Sequence, residues 1–581
     1  RPAVPGSIRA LFDRRFTTLS DRAMAMMQQT AIFGSRVNYA VLNAAAGLPP
    51  LEFDGVLHEL TRAGILIQAD ALLSFRHDLI REVAAAQMPA AMSSALHLRA
   101  ARALVRTKGS PGEIALHLSE AGDTRRAFDY ALRGADAAER VYALEEAADL
   151  LELAIQHAPD ESTQAELVGR LGKLYLHMRA YGRARPLLER RLEHVYQSNV
   201  SEVEKFEARR DLLFLDIYSS ARNVEESGRA LEALHAELAE SGQDAPRLEA
   251  EILNKLLWAA ICSFNPHLVE NTIGIITELH NRNNQAHVKC RTARGLGIYE
   301  GYRRRPQEAE TLLREALSQA KEAGDEAAVV DSYCGLTTLL PRVMRAELAE
   351  EILRVALPLA QQHANPELIA TLFCNCAVYH MYLGDSERAE QLFDRAEQAL
   401  QRCSHFRETV AYGLGFIAYL RGDDESAGEC WTRALHASER DGVSSVRLEC
   451  VAALGILAAR GGQMSKARSL AAQALRLARR GGFLVEQRFG LEELLARLRY
   501  HAGHGDKALR QLARAAASAR DCDIPLYLTA QLTRLELLLR EGRRQEASDV
   551  RQELCQVAQS HGASWWIQQA EGLCSQARLQ V

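Results

Sequence analysis

The sequence has few of the features that mark membrane, secreted or strongly charged proteins. Aromatic residues make up only 6% of the 581 residues, and the net charge is −5, from 70 basic and 75 acidic residues. No apolar run approaches the roughly 20 residues that cross a bilayer, and no signal peptide opens the chain. The basic excess typical of nucleic-acid binders is also missing. We therefore expect a cytoplasmic protein with no membrane span and no direct nucleic-acid partner.

Disulfide and metal motifs are missing as well. The eleven cysteines lie at or after Cys262, are odd in number and include no CxxC pair. Cys374 and Cys376 are two residues apart, and on a helix such residues point in different directions. The pattern predicts buried free thiols in a reducing compartment. His501 and His504 have no third ligand nearby in the sequence, so we expect a solvated turn there and no metal site.

The motifs of common catalytic sites do not occur. There is no HExxH, no GxSxG and no GxxxxGK[ST] phosphate-binding loop in the sequence. The nearest fragment is VGRLGKLYL at 168–176, which has the wrong spacing and lies in a helical run. The sequence therefore predicts that this chain is not an enzyme and holds no cofactor of its own.

What the sequence does contain is a repeat. From residue 309 onward, alanines recur at steps of 40, 40, 38, 40, 41 and 39 residues, a regularity typical of stacked supersecondary units. A turn glycine ends one helix in the left-handed conformation, Asp385 and Asp423 can cap the next helix, and residues seven apart share a helix face. The five matching sets are Gly384/Ala389/Ala396, Gly422/Ala427/Ala434, Gly462/Ala467/Ala474, Gly503/Ala508/Ala515 and Gly542/Ala547/Leu554.

This order of glycine and alanines resembles the tetratricopeptide repeat family, whose unit is a pair of helices. The resemblance is good over about 290–560 and weaker over 113–290, where no glycine precedes Ser227 or Val269. A period near 40 residues, against about 34 in the family, implies longer helices or connectors. Frequent glycine turns disfavour a coiled coil. We therefore expect an all-α fold with an α-solenoid superhelix, degenerate over 141–290 and regular over 291–581.

Residues 1–90 lack the repeat. Four segments, SIRALFDRRF, LSDRAMAMMQQTAIFG, SRVNYAVLNAAAGL and PLEFDGVLHELTRAG, read as helices, and ILIQADALLSF predicts a β-hairpin that turns around Gln68–Asp70. Helices followed by a hairpin predict a winged helix, and residues 91–140 would lead from it into the array. The helix before the hairpin carries more acid than base, which disfavours DNA binding. This segment carries the apolar residues Leu51, Phe53, Val56, Leu57, Leu60 and Ile65.

A winged helix followed by helical repeats resembles the bacterial signal-transduction ATPases with numerous domains, including the large LuxR-type transcriptional regulators. The segments GSRVNYAVLNAAAGLPPLEFDGVLHELTRAGILI and LSFRHDLIREV carry the resemblance. In that class a histidine that ends the winged helix approaches the nucleotide phosphates, which implies this role for His77, with Asp78 capping the next helix. ATP or ADP would then bind an ATPase core outside this chain. The alternative is that Asp78 only caps a helix and His77 packs against the wing.

The chain begins at Arg1 rather than at methionine, so we expect it to be a segment of a longer protein. The implied function is a regulatory sensor arm, which binds a small-molecule inducer or a partner protein and is coupled to the nucleotide state of the ATPase core. Self-association on activation is left open. The alternative is a scaffold that collects partner proteins and has no nucleotide link.

The inner surface of the superhelix supplies the candidate binding residues. By analogy with tetratricopeptide repeats, the first helix of each pair lines this surface, and aromatic residues beside Arg and Glu suit a peptide or a polar small molecule. The alternative is that the aromatic residues belong to the core. Counting back from the turn glycines gives Arg291, Arg294, Tyr412, Phe416, Tyr419, Glu493, Arg497 and Tyr500.

Overall fold

The computed structural model describes residues 16–141, 143–219, 221–362, 366–400, 407–485 and 490–579. Its contacts divide the chain into two compact units. The first comprises Arg1–Tyr175 and Pro186–Arg191, and the second comprises Leu176–Arg185 and Leu192–Val581. Helices dominate the described residues, where the three strands all lie within the first unit. The prediction of a helical solenoid with a small N-terminal sheet is confirmed.

The first unit begins with helices packed on a three-stranded antiparallel sheet. The strands are β1 (Arg36–Asn38), β2 (Leu66–Ala69) and β3 (Leu72–Phe75). They lie in the order β1-β3-β2, with Val37 opposite Leu73 and Leu66 opposite Phe75. Leu42, Phe53, Leu60, Leu73 and Ile80 are fully buried and form the centre of its core. The elements are Asp21–Ile32, β1 (Arg36–Asn38), Tyr39–Ala46, Pro50–Arg62, β2 (Leu66–Ala69), β3 (Leu72–Phe75) and Asp78–Ala86.

The predicted hairpin is present, with its turn at Asp70 and Ala71. Asp70 has φ of +52°, a left-handed conformation that aspartate tolerates in two-residue hairpins. One other prediction for this region is wrong. Arg36–Asn38, expected to be helical, pairs with β3, because the Asn38 side chain accepts a hydrogen bond from the Ala40 N–H and starts the helix only at Tyr39. Of the apolar residues on the helix before the hairpin, Leu51 is 88% exposed. The predicted helix SIRALFDRRF lies outside the described residues except for Phe16.

Paired helices continue the chain from residue 90. Ala147 and Ala154, which are seven residues apart on one helix, are both fully buried. The next helices in order are Ala90–Arg106, Pro111–Glu120, Thr124–Arg140, Leu144–Gln156, Glu161–His177 and Tyr181–Gln197. The division between the two units falls within the last two of these.

The second unit is built mainly from pairs of helices, many of which are nearly five turns long. Helices of 17 residues recur, as at Ala286–Tyr302 and Pro306–Glu322. The remaining helices are Glu202–Tyr218, Val224–Glu240, Pro246–Cys262, Pro266–Arg282, Glu326–Thr337, Leu340–Val343, Ala346–Glu351, Leu357–Gln362, Pro366–Leu383, Ser386–Ala399, Arg407–Leu420, Asp424–Asp441, Ser444–Arg460, Met464–Gly481, Leu491–His501, Gly505–Ala519, Ile524–Arg540, Arg544–Ser560 and Ser564–Leu579. The second unit also contains a π-helical turn at Ile352–Ala356 and a 3-10 turn at Gly482–Val485.

The turns between paired helices follow the predicted geometry. The turn glycines adopt positive φ, between +71° and +87° in the five regular repeats. Asp385 and Asp423 cap the following helices as predicted, accepting hydrogen bonds from the N–H groups of Arg388 and Ser426. In four other repeats a residue that is not glycine takes the left-handed conformation at the same position, five residues before the position of the first alanine. These residues are Arg179, Phe264, Arg304 and Met344.

Small residues bring the two helices of each pair together. The predicted alanines are fully buried in most repeats, including Ala427 and Ala467, whereas Ala515 is only half-buried and Ala516 takes its place in the core. Glycines in the first helices add to this close approach. A Cβ at Gly415 would lie 2.6 Å from the ring of Trp431, which belongs to the second helix of the same pair. Large side chains of the second helix therefore fill the space that a glycine leaves on the first.

The repeats of the second unit wind tightly enough for distant turns to touch. The indole N–H of Trp566 donates to the Tyr382 carbonyl at 2.9 Å, across 184 residues. Arg304 donates to the Ser518 carbonyl at 3.3 Å, across 214 residues. Arg480 pairs with Glu225 across 255 residues. These contacts enclose the inner surface that the first helices form.

Candidate functional site

The larger candidate site is a cavity of about 730 Å³ inside the second unit. Five first helices wall it: Arg407–Leu420, Ser444–Arg460, Leu491–His501, Ile524–Arg540 and Ser564–Leu579. This volume lies in the range of sites for small ligands. We call it the inner cavity. Of the sequence-predicted residues, Tyr412, Phe416, Tyr419, Glu493 and Arg497 line it.

Aromatic rings form one wall of the inner cavity. Trp431 lies with its ring centroid 5.7 Å from that of Tyr419 and 6.4 Å from that of Tyr412, and its N–H donates to the Tyr412 carbonyl. Trp565 and Trp566 meet edge to face at 4.8 Å on the last helix. Tyr412 and Trp431 are nearly fully buried, so these aromatic residues both belong to the core and line the cavity. The two alternatives drawn from the sequence do not exclude each other.

Ion pairs cross the polar wall of the inner cavity. Arg497 contacts Glu493 and Glu536, each at 2.8 Å, and Arg540 contacts Glu536 at 2.6 Å. Arg460 lies 4.9 Å from the Tyr419 ring centroid, the geometry of a cation–π contact. Burial opposes the charge of Arg497, but the carboxylates of Glu493 and Glu536 outweigh this and raise its pKa. The ion pairs therefore hold neighbouring repeats in a defined relation.

Glu449 is a further acidic residue on this wall. It lines the inner cavity from helix Ser444–Arg460, and in the described part of the chain it has no hydrogen bond or ion pair. Burial raises its pKa to about 7, and Asp523 adds to the rise while Arg342 opposes it. The Glu449 side chain is mostly buried, and it is one of the residues that line the cavity.

A second cavity of about 530 Å³ lies further up the array, also inside the second unit. The predicted residues Arg291 and Arg294 line it. Arg291 pairs with Asp325 at 2.9 Å, and Arg294 donates to the Asp331 carbonyl at 3.0 Å. The structure thus divides the predicted residues between two cavities. Tyr500 lies half-buried on the helix of Glu493 and Arg497 but does not line the inner cavity.

Cations and thiols surround the second cavity. The Lys255 ammonium lies 4.2 Å from the Tyr218 ring centroid and 4.6 Å from that of Trp258. Burial raises the pKa of the Cys262 thiol to about 12, with a further contribution from Glu408, and burial also raises that of Cys374. These thiols are therefore neutral near pH 7. The predicted free, buried state of Cys374 and Cys376 is confirmed.

The candidate nucleotide-sensing residues lie at the junction of β3 and helix Asp78–Ala86. His77 is exposed and occupies the N-cap position without a side-chain capping bond. Asp78 is the first helical residue and pairs with Arg81 at 2.7 Å. The prediction that Asp78 caps this helix is therefore wrong, because the helix begins one residue earlier than expected. The side chain of His77 is exposed, and the alternative that it packs against the wing stays a prediction.

Counting back from the turn glycines missed Glu449 for a definite reason. Tyr412 and Glu493 lie ten residues before Gly422 and Gly503, whereas Glu449 lies thirteen residues before Gly462. Thirteen residues is one helical turn further from the glycine, on the same face. Extending the count by one turn in each repeat would have found Glu449.

No protein-family model and no curated protein matches this chain. Its structure is similar to a signal transduction ATPase with numerous domains from Pyrococcus horikoshii, which carries a tetratricopeptide repeat sensor. The identity is 14% and the TM-score 0.26, over 89% of this chain and 66% of that one. A Rap protein complexed with competence and sporulation factor is similar at 11% identity and a TM-score of 0.43, over 69% and 99% of the two chains.

A third similar structure is NprR in complex with its cognate peptide NprX, at 15% identity and a TM-score of 0.41, over 61% of this chain and 99% of that one. At such identities and TM-scores these similarities carry no argument about function. Among the described helices, none is long and apolar enough to cross a membrane. The described residues also contain no group of three or more His, Cys, Asp or Glu side chains placed to hold a metal ion.

Proposed function

We propose that the second unit is the ligand-binding arm of a regulatory protein and that its ligand, a peptide or a polar small molecule, occupies the inner cavity. One observation carries the proposal: five first helices surround a space of about 730 Å³ that both aromatic rings and charged groups line. Apolar walls supply affinity, and a few placed polar groups supply orientation. The chain itself performs no chemistry in this proposal.

Filling the inner cavity tests the proposal. Gln569 lines the cavity from the last helix, whereas its neighbour Gln568 is exposed and does not line it. We expect native mass spectrometry to detect bound members of a metabolite and peptide library on the parent and on Gln568→Trp. Gln569→Trp should lose them, because the indole takes up the ligand's space. Library members retained equally by Gln569→Trp, or the absence of any bound member, would overturn the proposal.

We further propose that the first unit couples this arm to a nucleotide-binding core elsewhere in a longer protein, as the sequence resemblance implies. Exposure of His77 at the end of β3 leaves its imidazole free to approach such a core. In the full-length protein, His77→Ala should alter nucleotide retention or basal activity. Unchanged nucleotide release and unchanged output would instead favour the second candidate, a scaffold that binds partner proteins without a nucleotide link.

A further inference from the structure

The charges that line the inner cavity are compensated with one exception among the described residues. Arg497 and Arg540 pair with Glu493 and Glu536. The two remaining arginines also have acidic partners outside the lining: Arg421 has Glu390 at 2.7 Å, and Arg460 has Asp424 at 3.9 Å. The exception is Glu449, which has neither an ion pair nor a hydrogen bond in the described chain.

Other groups near Glu449 do not replace a counter-charge. The positive charge of Arg342 lowers the pKa of Glu449, whereas the negative charge of Asp523 raises it. Arg342 donates to the Gly301 carbonyl at 2.6 Å and lies 5.2 Å from the Tyr302 ring centroid. Arg304, which also acts on Asp523, donates to Ser518. No cation therefore contacts the Glu449 carboxyl group in the described chain.

The charge of the same carboxyl group acts on three tyrosine side chains, of which Tyr412 also lines the inner cavity. Burial, and then the charge of Glu449, raise the pKa of Tyr412 and of Tyr382 well above the usual range, and Glu449 also contributes at Tyr302. The Tyr382 ring packs edge to face on Phe416, with centroids 5.8 Å apart. Electron-rich rings attract cations through their faces, and a carboxylate supplies the full counter-charge. The remaining titratable neighbour is Cys450. Burial, and then the charge of Glu449, raise the pKa of its thiol, which therefore stays protonated.

We propose that the ligand of the inner cavity carries a protonated amine, which Glu449 receives as its counter-charge beside the Tyr412 ring. The assignment rests on the proposed function of this cavity and adds the chemical class of the ligand. An ammonium group completes the missing ion pair, and its organic part meets the aromatic wall. Two sources offer this chemistry: a small organic amine and the free amino terminus of a peptide.

Isothermal titration calorimetry of the whole chain tests the proposal with matched probes. Phenethylamine and 2-phenylethanol share one shape and differ in charge, and the tripeptide Phe-Ala-Ala is compared with its N-acetylated form. The variants are Glu449→Gln, which removes the charge and keeps the shape, and Glu429→Gln, which removes an exposed charge outside the cavity lining. Circular dichroism confirms that both variants are folded.

We expect phenethylamine to bind at least tenfold more tightly than 2-phenylethanol to the parent and to Glu429→Gln, and this preference to vanish in Glu449→Gln. Binding near pH 6.5 should also release protons from the parent, visible as a dependence of the enthalpy on the buffer, and not from Glu449→Gln. A free tripeptide that outcompetes its acetylated form identifies a peptide as the source; a preference confined to phenethylamine identifies a small amine.

Equal affinity for phenethylamine and 2-phenylethanol, no affinity for any amine probe, or a preference that survives in Glu449→Gln would each overturn the amine assignment. This failure is distinct from failure of the proposed function. If Gln569→Trp still displaces library members while Glu449→Gln has no effect on amines, the cavity binds a ligand of another class. If nothing in the library binds the cavity, the proposed function itself is wrong.

Discussion

Adding one methyl group at Gly384 should open the winding of the second unit. Gly384 has φ of +87°, and a Cβ built on it would lie 2.1 Å from the Cβ and 3.1 Å from the backbone of Trp565. The helix Ser564–Leu579 thus docks directly on the turn after Pro366–Leu383. The dock also includes Trp566, which is 2% exposed and donates to the Tyr382 carbonyl. A side chain at Gly384 cannot be accommodated without moving that helix.

Two costs add up in Gly384→Ala, and a control separates them. A non-glycine residue in the left-handed region costs roughly 1–2 kcal/mol, and overpacking a close contact costs about 1–3 kcal/mol more. Gly503 has a similar φ of +81°, but a Cβ there would have no atom within 4 Å. Gly503→Ala should therefore show the backbone cost alone. The difference in stability between the two variants measures the contact of the last helix with the turn at Gly384.

Hydrogen exchange with mass spectrometry is the suitable assay, because repeat arrays open locally and do not unfold as one unit. In Gly384→Ala we expect amides of 564–579 to lose about 1–3 kcal/mol of protection, while those of Leu491–His501 keep theirs. Gly503→Ala should leave 564–579 protected. The reasoning is refuted if both alanine variants protect 564–579 as the parent does, since the contact with Trp565 would then not hold the helix.

Three further predictions concern packing and pH. Ala427→Leu should lower the free energy of local unfolding by about 1–3 kcal/mol through overpacking, because Ala427 is fully buried. The control is Gly428→Ala, where a Cβ meets only Leu457 at 3.7 Å and which should stabilise its helix by up to about 1 kcal/mol. Equal stability of the two variants in urea denaturation would contradict this prediction. The pKa of Glu449 is raised from 4.5 to about 7 in the folded protein, so the unfolded chain loses this proton first as pH rises. The free energy of unfolding should therefore fall by up to about 3 kcal/mol between pH 4.5 and 7. Glu449→Gln should remove that fall, and parallel pH profiles of the two proteins would count against the prediction. Burial, and then His97, lower the pKa of His117 from 6.5 to about 4, so the first unit should lose roughly 2 kcal/mol as pH falls from 6.5 to 4, and His117→Asn should flatten this loss in thermal denaturation.

The sequence predicts the repeats well because their requirements are local. A turn glycine with positive φ, an aspartate cap and two alanines on one face are properties of a few neighbouring residues, and Gly422, Asp423 and Ala427 meet all of them. Two of the degenerate repeats keep the same turn with a residue other than glycine, which a search for glycine does not detect. Phe264 adopts φ of +57° five residues before the buried Val269. The packing of the surrounding helices determines that turn, and a local pattern does not record it.

The candidate site was only partly predictable for a related reason. Helix faces are periodic, so counting from the turns identified Tyr412, Tyr419 and Arg497 on the inner side. Which of these residues share a cavity depends on the winding of the array, and that depends on contacts such as Trp565 on Gly384. Among the described residues, the lack of an ion-pair partner for Glu449 is likewise a tertiary property, because it depends on which side chains the fold brings near this carboxyl group.

The winding that encloses the inner cavity also provides a way for a ligand to change the arm. Gln569 and Trp565 line the cavity from the last helix, and Tyr419 lines it from a helix more than 140 residues earlier. A ligand that contacts both sides binds the docked arrangement better than the open one, and it can shift the balance only by that difference in affinity. At a ligand concentration one hundred times the dissociation constant, the docked state gains about 2.7 kcal/mol. That gain is comparable with the cost expected for Gly384→Ala, so a saturating ligand should restore much of the protection that this substitution removes from residues 564–579.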